Sequence, residues 1–289
     1  MGSFFFLFSA ETKGGAMSGS WKDITKETLR HYYCDKHMSD QQIGALFNVT
    51  RNQVSYKRRY YHITRKDALP VYNEKIIAYI RILGFNRMMQ DATKHRRINQ
   101  LLHVPFHLLR HDHDYKDIHV SFFGSVIVLS TDHTSIESFD RIYRYVSLLT
   151  QSYLAYYGVL LRGAICIGHL YHDDQFVFGP AFAKAQSMEK NVARFPRIII
   201  DASDLHIGLR SHHAKNKNQI KDRFIFSDDG YYYLDCFYNN KKQHNNLILQ
   251  RAKGHLSSIS VENQHDYEKI VWMKKELERP NPPKTRESY

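Results

Sequence analysis

Residues 75–85 read Lys75-Ile-Ile-Ala-Tyr-Ile80-Arg81-Ile-Leu-Gly84-Phe85. Apolar side chains fill odd and even positions alike, which predicts a strand covered on both faces and therefore central in its sheet. A helical stretch over about 86–109 follows. The run IHVSFFGSVIVLS, 118–130, fits a hairpin turning near Phe123-Gly124-Ser125. A helix over about 135–157 carries Ile136, Phe139, Ile142, Tyr143, Val146 and Leu149 close to a 3.6 period. A strand over 160–170, a polar turn at His172-Asp173-Asp174, a return at 175–179, a helix over 180–191 and a strand over 197–201 complete the core pattern. The order βαββαβ plus additions predicts an α+β, ferredoxin-like sandwich. A C-terminal helix is expected over about 256–278.

The surroundings of this core set the organisation. The chain has 289 residues, 43% hydrophobic and 24% charged, enough for one large domain and one small one. Its net charge of +12 favours a polyanionic partner. No apolar run reaches the roughly 18–20 residues of a membrane span. The cysteines Cys34, Cys166 and Cys236 are isolated, which excludes a disulfide scaffold or zinc ribbon and agrees with a reducing cytoplasm. Residues 1–16, ending before Met17, are expected to be a tag, leader or disordered arm. Residues 17–70 form a basic helical module bounded by Pro70, 71–278 the larger domain, and 279–289 a disordered tail.

The module predicts three short helices, the first over about 25–34. Ser39 stands as an N-cap before Asp40, Gln41 and Gln42, and Ile43, Leu46 and Phe47 form the inward face. After a turn at Asn48-Val49, Thr50 is a second N-cap and opens the third helix over about 51–61, with Val54 facing in. This is helix-turn-helix spacing, and Gly44 is small where the helices meet. Arg51, Asn52 and Gln53, at the helix N-terminus, would read base edges of double-stranded DNA. Thr50 and Tyr56 join the interface, and Lys57, Arg58 and Arg59 would hold phosphates. The module carries ten Lys and Arg against five Asp and Glu.

The segments Ala78–Phe85, Phe122–Ser130, Leu161–Tyr171, Val177–Glu189, Arg194–Asp201, Asp229–Asp235 and Tyr267–Leu277 resemble, in consistent order, class III nucleotide cyclases, and among them the bacterial pyrimidine-cyclase branch of anti-phage defence. The resemblance implies that fold, a homodimer, and two metal-binding aspartates. Those positions hold Arg81 and Gly124 here. A guanidinium repels a metal and glycine offers no ligand, so the degenerate domain is expected to have no catalytic residues, no metal and no cofactor. The positions of a transition-state Asn and Arg fall near Ala183 and Ser187. Arg81, Gly84, Phe85, Asn86, Gly124 and Arg162 are the candidate residues for a nucleotide or cyclic nucleotide; the alternative is that Arg81 pairs with a nearby carboxylate.

Together these features predict a cytoplasmic, dimeric DNA-binding transcriptional regulator with a cyclase-like pseudoenzyme domain. The alternatives are a cyclase using Mg²⁺ or Mn²⁺ through relocated ligands, with Asp132, Asp173 and Asp174 as the carboxylates, and a defence protein that binds a cyclic nucleotide. His111-Asp-His-Asp114 reads as a solvated turn. Ser211-His212-His213-Ala-Lys215-Asn-Lys217 reads as a basic loop.

Overall fold

The computed structural model describes residues 21–36, 38–64, 72–111, 113–115, 117–133, 136–210, 214–243, 246–259 and 263–280. Expectations for residues 1–16, Pro70, Ser211-His212-His213 and residues 281–289 lie outside them. The chain divides into two compact units, Met1–Val71 and Tyr72–Tyr289.

In the smaller unit, α1 (Lys26–Arg30) runs on through one π turn, His31–Asp35, into a connection to α2 (Asp40–Phe47) and α3 (Arg51–Tyr60). Two reciprocal caps fix where the helices start. Ser39 Oγ accepts from Gln42 N at 3.2 Å while Gln42 Oε1 accepts from Ser39 N at 2.8 Å. Thr50 and Gln53 repeat the arrangement at 3.3 and 2.8 Å. Between the helices Asn48 takes a left-handed conformation, φ 52°, which Asn tolerates better than most residues. The turn is tight: a Cβ on Gly44 would lie 2.6 Å from the Val49 carbonyl oxygen. Ile24, Leu29, Cys34, Ile43, Val54 and Ile63 form the core of this unit.

The larger unit is a mixed α+β structure on one mixed sheet. Its elements run β1 (Asn73–Ile82), α4 (Phe85–Met89), α5 (His95–His111), β2 (His119–Phe123), β3 (Val126–Asp132), α6 (Ile136–Tyr157), β4 (Leu161–His172), β5 (Val177–Phe178), α7 (Pro180–Asn191) and β6 (Ile198–Ile200). Then come α8 (Ala202–Arg210), α9 (Ala214–Lys221), β7 (Phe224–Phe226), β8 (Tyr232–Leu234), α10 (Tyr238–Lys241), α11 (Leu247–Ser258) and α12 (Gln264–Glu278). The strand order is β2-β3-β1-β4-β6-β8-β7, with β5 paired to β4. All pairs are antiparallel except β4·β6.

β1 is central, flanked by β3 and β4, and its alternation divides two cores. Ile76, Ala78, Ile80 and Ile82 join the core that also holds α5, α6, α11 and α12 side chains. Ile77 and Tyr79 join the core containing Ala181, Ala185 and Met188 of α7. A period of two in the side chains thus explains why 76–80 is apolar at odd and even positions alike.

Four expectations change. The single C-terminal helix is two, α11 and α12; Asn263 ends the break by accepting from Asp266 N at 2.9 Å and so capping α12. Residues 214–217 are not loop but the start of α9, and His111 closes α5 rather than opening a turn. Arg279 is not free tail: its guanidinium donates to Glu276 at 3.1 Å and to Asp235 at 3.2 Å.

Candidate functional site

On α3 the buried Val54 fixes which side turns inward. At 100° per residue, Asn52, Tyr56, Arg59 and Tyr60 share the opposite side. All four are exposed, Tyr56 at 74% and Tyr60 at 70%. Arg51 and Gln53 are exposed beside them, although the Gln53 carbonyl oxygen is engaged by the Thr50 cap. The other two cations of the helix are used internally. Lys57 Nζ donates to the carbonyls of Trp21 at 2.6 Å and Lys22 at 3.1 Å, and lies over the Trp21 ring. Arg58 grips Asp40 with two bonds of 3.0 Å, donates to the Ile63 carbonyl at 3.1 Å, and stacks 4.1 Å from the Tyr33 ring centre. Its hydrogen bonds to Asp40 raise the guanidinium above its ordinary value. Lys57 and Arg58 thus fasten α3 to the unit, whereas Arg51 and Arg59 are exposed with no ion pair among the described residues.

In the larger unit, Arg81 and Arg162 are register partners across β1 and β4. Both reach Glu189, a fully buried carboxylate on α7. Arg81 binds it bidentately, Nε at 2.8 Å and Nη2 at 3.0 Å. Arg162 adds Nε at 2.9 Å and Nη2 at 2.6 Å on the same oxygen, Oε1. Arg81 Nη1 lies 3.4 Å from Ser125 Oγ. Hydrogen bonding to Glu189 raises the Arg81 guanidinium further above its ordinary range. The two cations on one carboxylate leave one excess positive charge, and fork geometry holds it in place.

This donor set does not fit the divalent cations of the resembled family. Its carboxylate is taken by two guanidinia, Arg81 is itself a cation, and Gly124 stands at the hairpin tip with φ 57° and nothing within 4 Å of a Cβ placed there. Phe85 is a core side chain, 3% exposed, and so turns away from any ligand. Gly84 caps only the five-residue α4, and Asn86 is exposed on it. Ala183 and Ser187 lie on the outer side of α7; Ser187 accepts from Asn191 at 3.1 Å.

Two of the three relocated carboxylates, Asp132 and Asp173, are separately engaged. Asp132 meets Lys75 at 2.5 Å. Asp173 accepts from the Tyr171 hydroxyl and from the Gln175 and Phe176 amides, as turn aspartates do. No group of three His, Cys, Asp or Glu among the described residues converges to hold a metal. His172 is buried between Ser130 Oγ at 2.8 Å and Ser121 Oγ at 2.9 Å. Burial pushes it down to about 4, so it is neutral at pH 7.

Glu189 and Asp40 are the residues that sequence alone left without these roles. Glu189 lies 108 positions from Arg81 and no local spacing links them. Asp40 reads as a helix-dipole acid until the fold brings Arg58 to it.

No family model matches the chain, and no curated protein does. Among solved structures it is similar to the monomeric guanylyl cyclase domain of the RhoGC fusion protein from the aquatic fungus Blastocladiella emersonii, at 14% identity and TM-score 0.43, over 56% of this chain and 95% of that one. It is similar to the adenylyl cyclase CyaB from P. aeruginosa at 12% identity and TM-score 0.39, over 56% and 94%. A bacterial light-regulated adenylyl cyclase aligns at 17% identity and TM-score 0.40, over 64% and 100%. No helix among the described residues is long and apolar enough to cross a membrane.

Proposed function

We propose that the chain is a DNA-binding regulator in which α2 and α3 act as a helix-turn-helix and the larger unit is a non-catalytic, cyclase-like domain. The observation that carries this is the outward side of α3. It presents an amide, two phenols and a guanidinium at Asn52, Tyr56, Tyr60 and Arg59, flanked by Arg51, and α3 contains no acidic residue. Asn52 and Tyr56 would meet base edges in the major groove, where an amide can pair bidentately with adenine. Arg51 and Arg59 would carry the phosphate contacts, and Lys57 and Arg58 would hold the helix at its angle. In a dimer, as the resemblance to cyclases implies, two such helices would meet half-sites about one helical turn apart.

Arg81, Gly124 and the shared Glu189 support the non-catalytic half of this reading, because metal-assisted cyclisation needs carboxylates free to bind cations. Selection from a random duplex library tests the first half: an enriched site is expected, bound more weakly as salt rises. Failure to enrich any site, with no salt-sensitive binding to random duplex, would overturn it. Incubation with the four nucleoside triphosphates and Mn²⁺ tests the second half. No cyclic product or pyrophosphate is expected, and metal-dependent turnover would contradict it.

A further inference from the structure

A groove of about 420 Å³ lies between α4, the loop before β4 and α12. It is separate from the Arg81 clamp, which faces α7. Leu83, Met88 and Ile259, all half-buried, line it with apolar surface together with the buried Leu160 and Ile270, and Gly84 lies at the end of β1 beside it. Four cations border it: Arg87, Lys94, Arg97 and Lys269. Asp91 and Asp266 are the two carboxylates in its lining. Asp266 is shared, 2.9 Å from Arg87 and 3.3 Å from Lys269. Asp91 spends one oxygen on the Thr93 amide and hydroxyl and leaves the other 3.5 Å from Lys94. Arg97 donates to the neutral carbonyl of Tyr157.

We infer that this groove binds a small phosphorylated molecule with a flat apolar body, of the nucleoside monophosphate class. Two carboxylates against four cations leave two positive charges, the complement of a phosphomonoester dianion. Lys94 and Arg97 are the cations nearest to being uncommitted, since one has only a long contact to a carboxylate and the other meets a carbonyl. The apolar lining supplies the surface on which a base would lie, since ligand sites combine such walls with few, placed polar groups. The inference depends neither on DNA binding nor on the reading of Arg81.

Calorimetric titration of the full chain with AMP, inorganic phosphate and adenosine tests it. AMP is expected to bind, with phosphate and adenosine each weaker by about tenfold or more, since each keeps only half of the contacts. Lys94→Ala is expected to weaken AMP several-fold, and Lys94→Ala with Arg97→Ala by more than about tenfold. Because Arg97 also holds the Tyr157 carbonyl, a thermal melt accompanies each variant, and the exposed Lys94→Glu gives the same readout without touching that bond. Wild-type protein that takes up no AMP at millimolar concentration would overturn the inference. So would equal affinity for AMP in Lys94→Glu. Phosphate binding as tightly as AMP would overturn the nucleoside part, and adenosine binding as tightly would overturn the phosphate part.

Discussion

Arg58 and Arg81 teach the same lesson in two units, and Arg59 is the contrast. Arg58 and Arg81 each end in a bidentate grip on a carboxylate, Asp40 and Glu189, and each becomes part of the framework. Arg59, one residue from Arg58, has no such partner among the described residues and faces solvent. A basic residue is available to a polyanion only where the fold brings no acid to it. The net charge of +12 is therefore a poor guide to where DNA would touch until the internal pairs are subtracted.

The largest effect is expected at Glu189. Glu189→Ala would leave two part-buried guanidinia facing each other across β1 and β4 without a counter-charge. A loss of about 3–5 kcal/mol is expected in urea unfolding of the larger unit. A loss below 1 kcal/mol would mean that solvent reaches the pair and that the clamp is loose.

His172 gives the neutral counterpart, since burial, with Lys75 and His119 nearby, keeps it uncharged instead of pairing it. Its folded value, about 4, lies below its ordinary 6.5, so between those values the unfolded chain binds the extra proton. Stability is therefore full above pH 6.5 and is lost as pH falls toward 4, by up to about 3 kcal/mol. His172→Gln is expected to flatten that slope in pH-dependent unfolding, and an unchanged slope would break the assignment.

Asp40→Asn comes next. It removes the charge that Arg58 grips, and about 2 kcal/mol is expected to go from the smaller unit, read by hydrogen exchange at α2 and α3. Arg59→Ala should change stability by less than about 0.5 kcal/mol. If instead it destabilises as much as Asp40→Asn, Arg59 has an internal partner and the contrast fails.

Much of the fold was legible because it rests on local chemistry. The apolar run 76–80 announced a central strand, and the alternation of Ile76 and Ile77 between two cores is its physical cause. Ser39 and Thr50 marked both helix starts because each has a glutamine three residues on to complete the cap. Similar signals were present but less visible elsewhere. Asp201 accepts from Asp204 N at the start of α8, and Asn263 from Asp266 N at the start of α12. The helix expected over about 256–278 ran across the break, joining the last turn of α11 to α12. The candidate site was legible only in part. Arg81 and Gly124 stood out by their positions, but the Arg81–Glu189–Arg162 cluster joins β1, β4 and α7, and only the register of Arg81 with Arg162 puts both cations on one carboxylate.

In the proposed complex the exposed cations of α3, and not the fastened ones, meet DNA. The salt dependence of duplex binding by Arg59→Ala and Lys57→Ala, each checked for wild-type circular dichroism, tests it most directly. Arg59→Ala is expected to weaken binding by about 1–3 kcal/mol and to lower the slope of log affinity against log salt by about one, while Lys57→Ala keeps the wild-type slope. A lowered slope for Lys57→Ala with no change for Arg59→Ala would mean that the fastened cations, not the exposed ones, meet DNA.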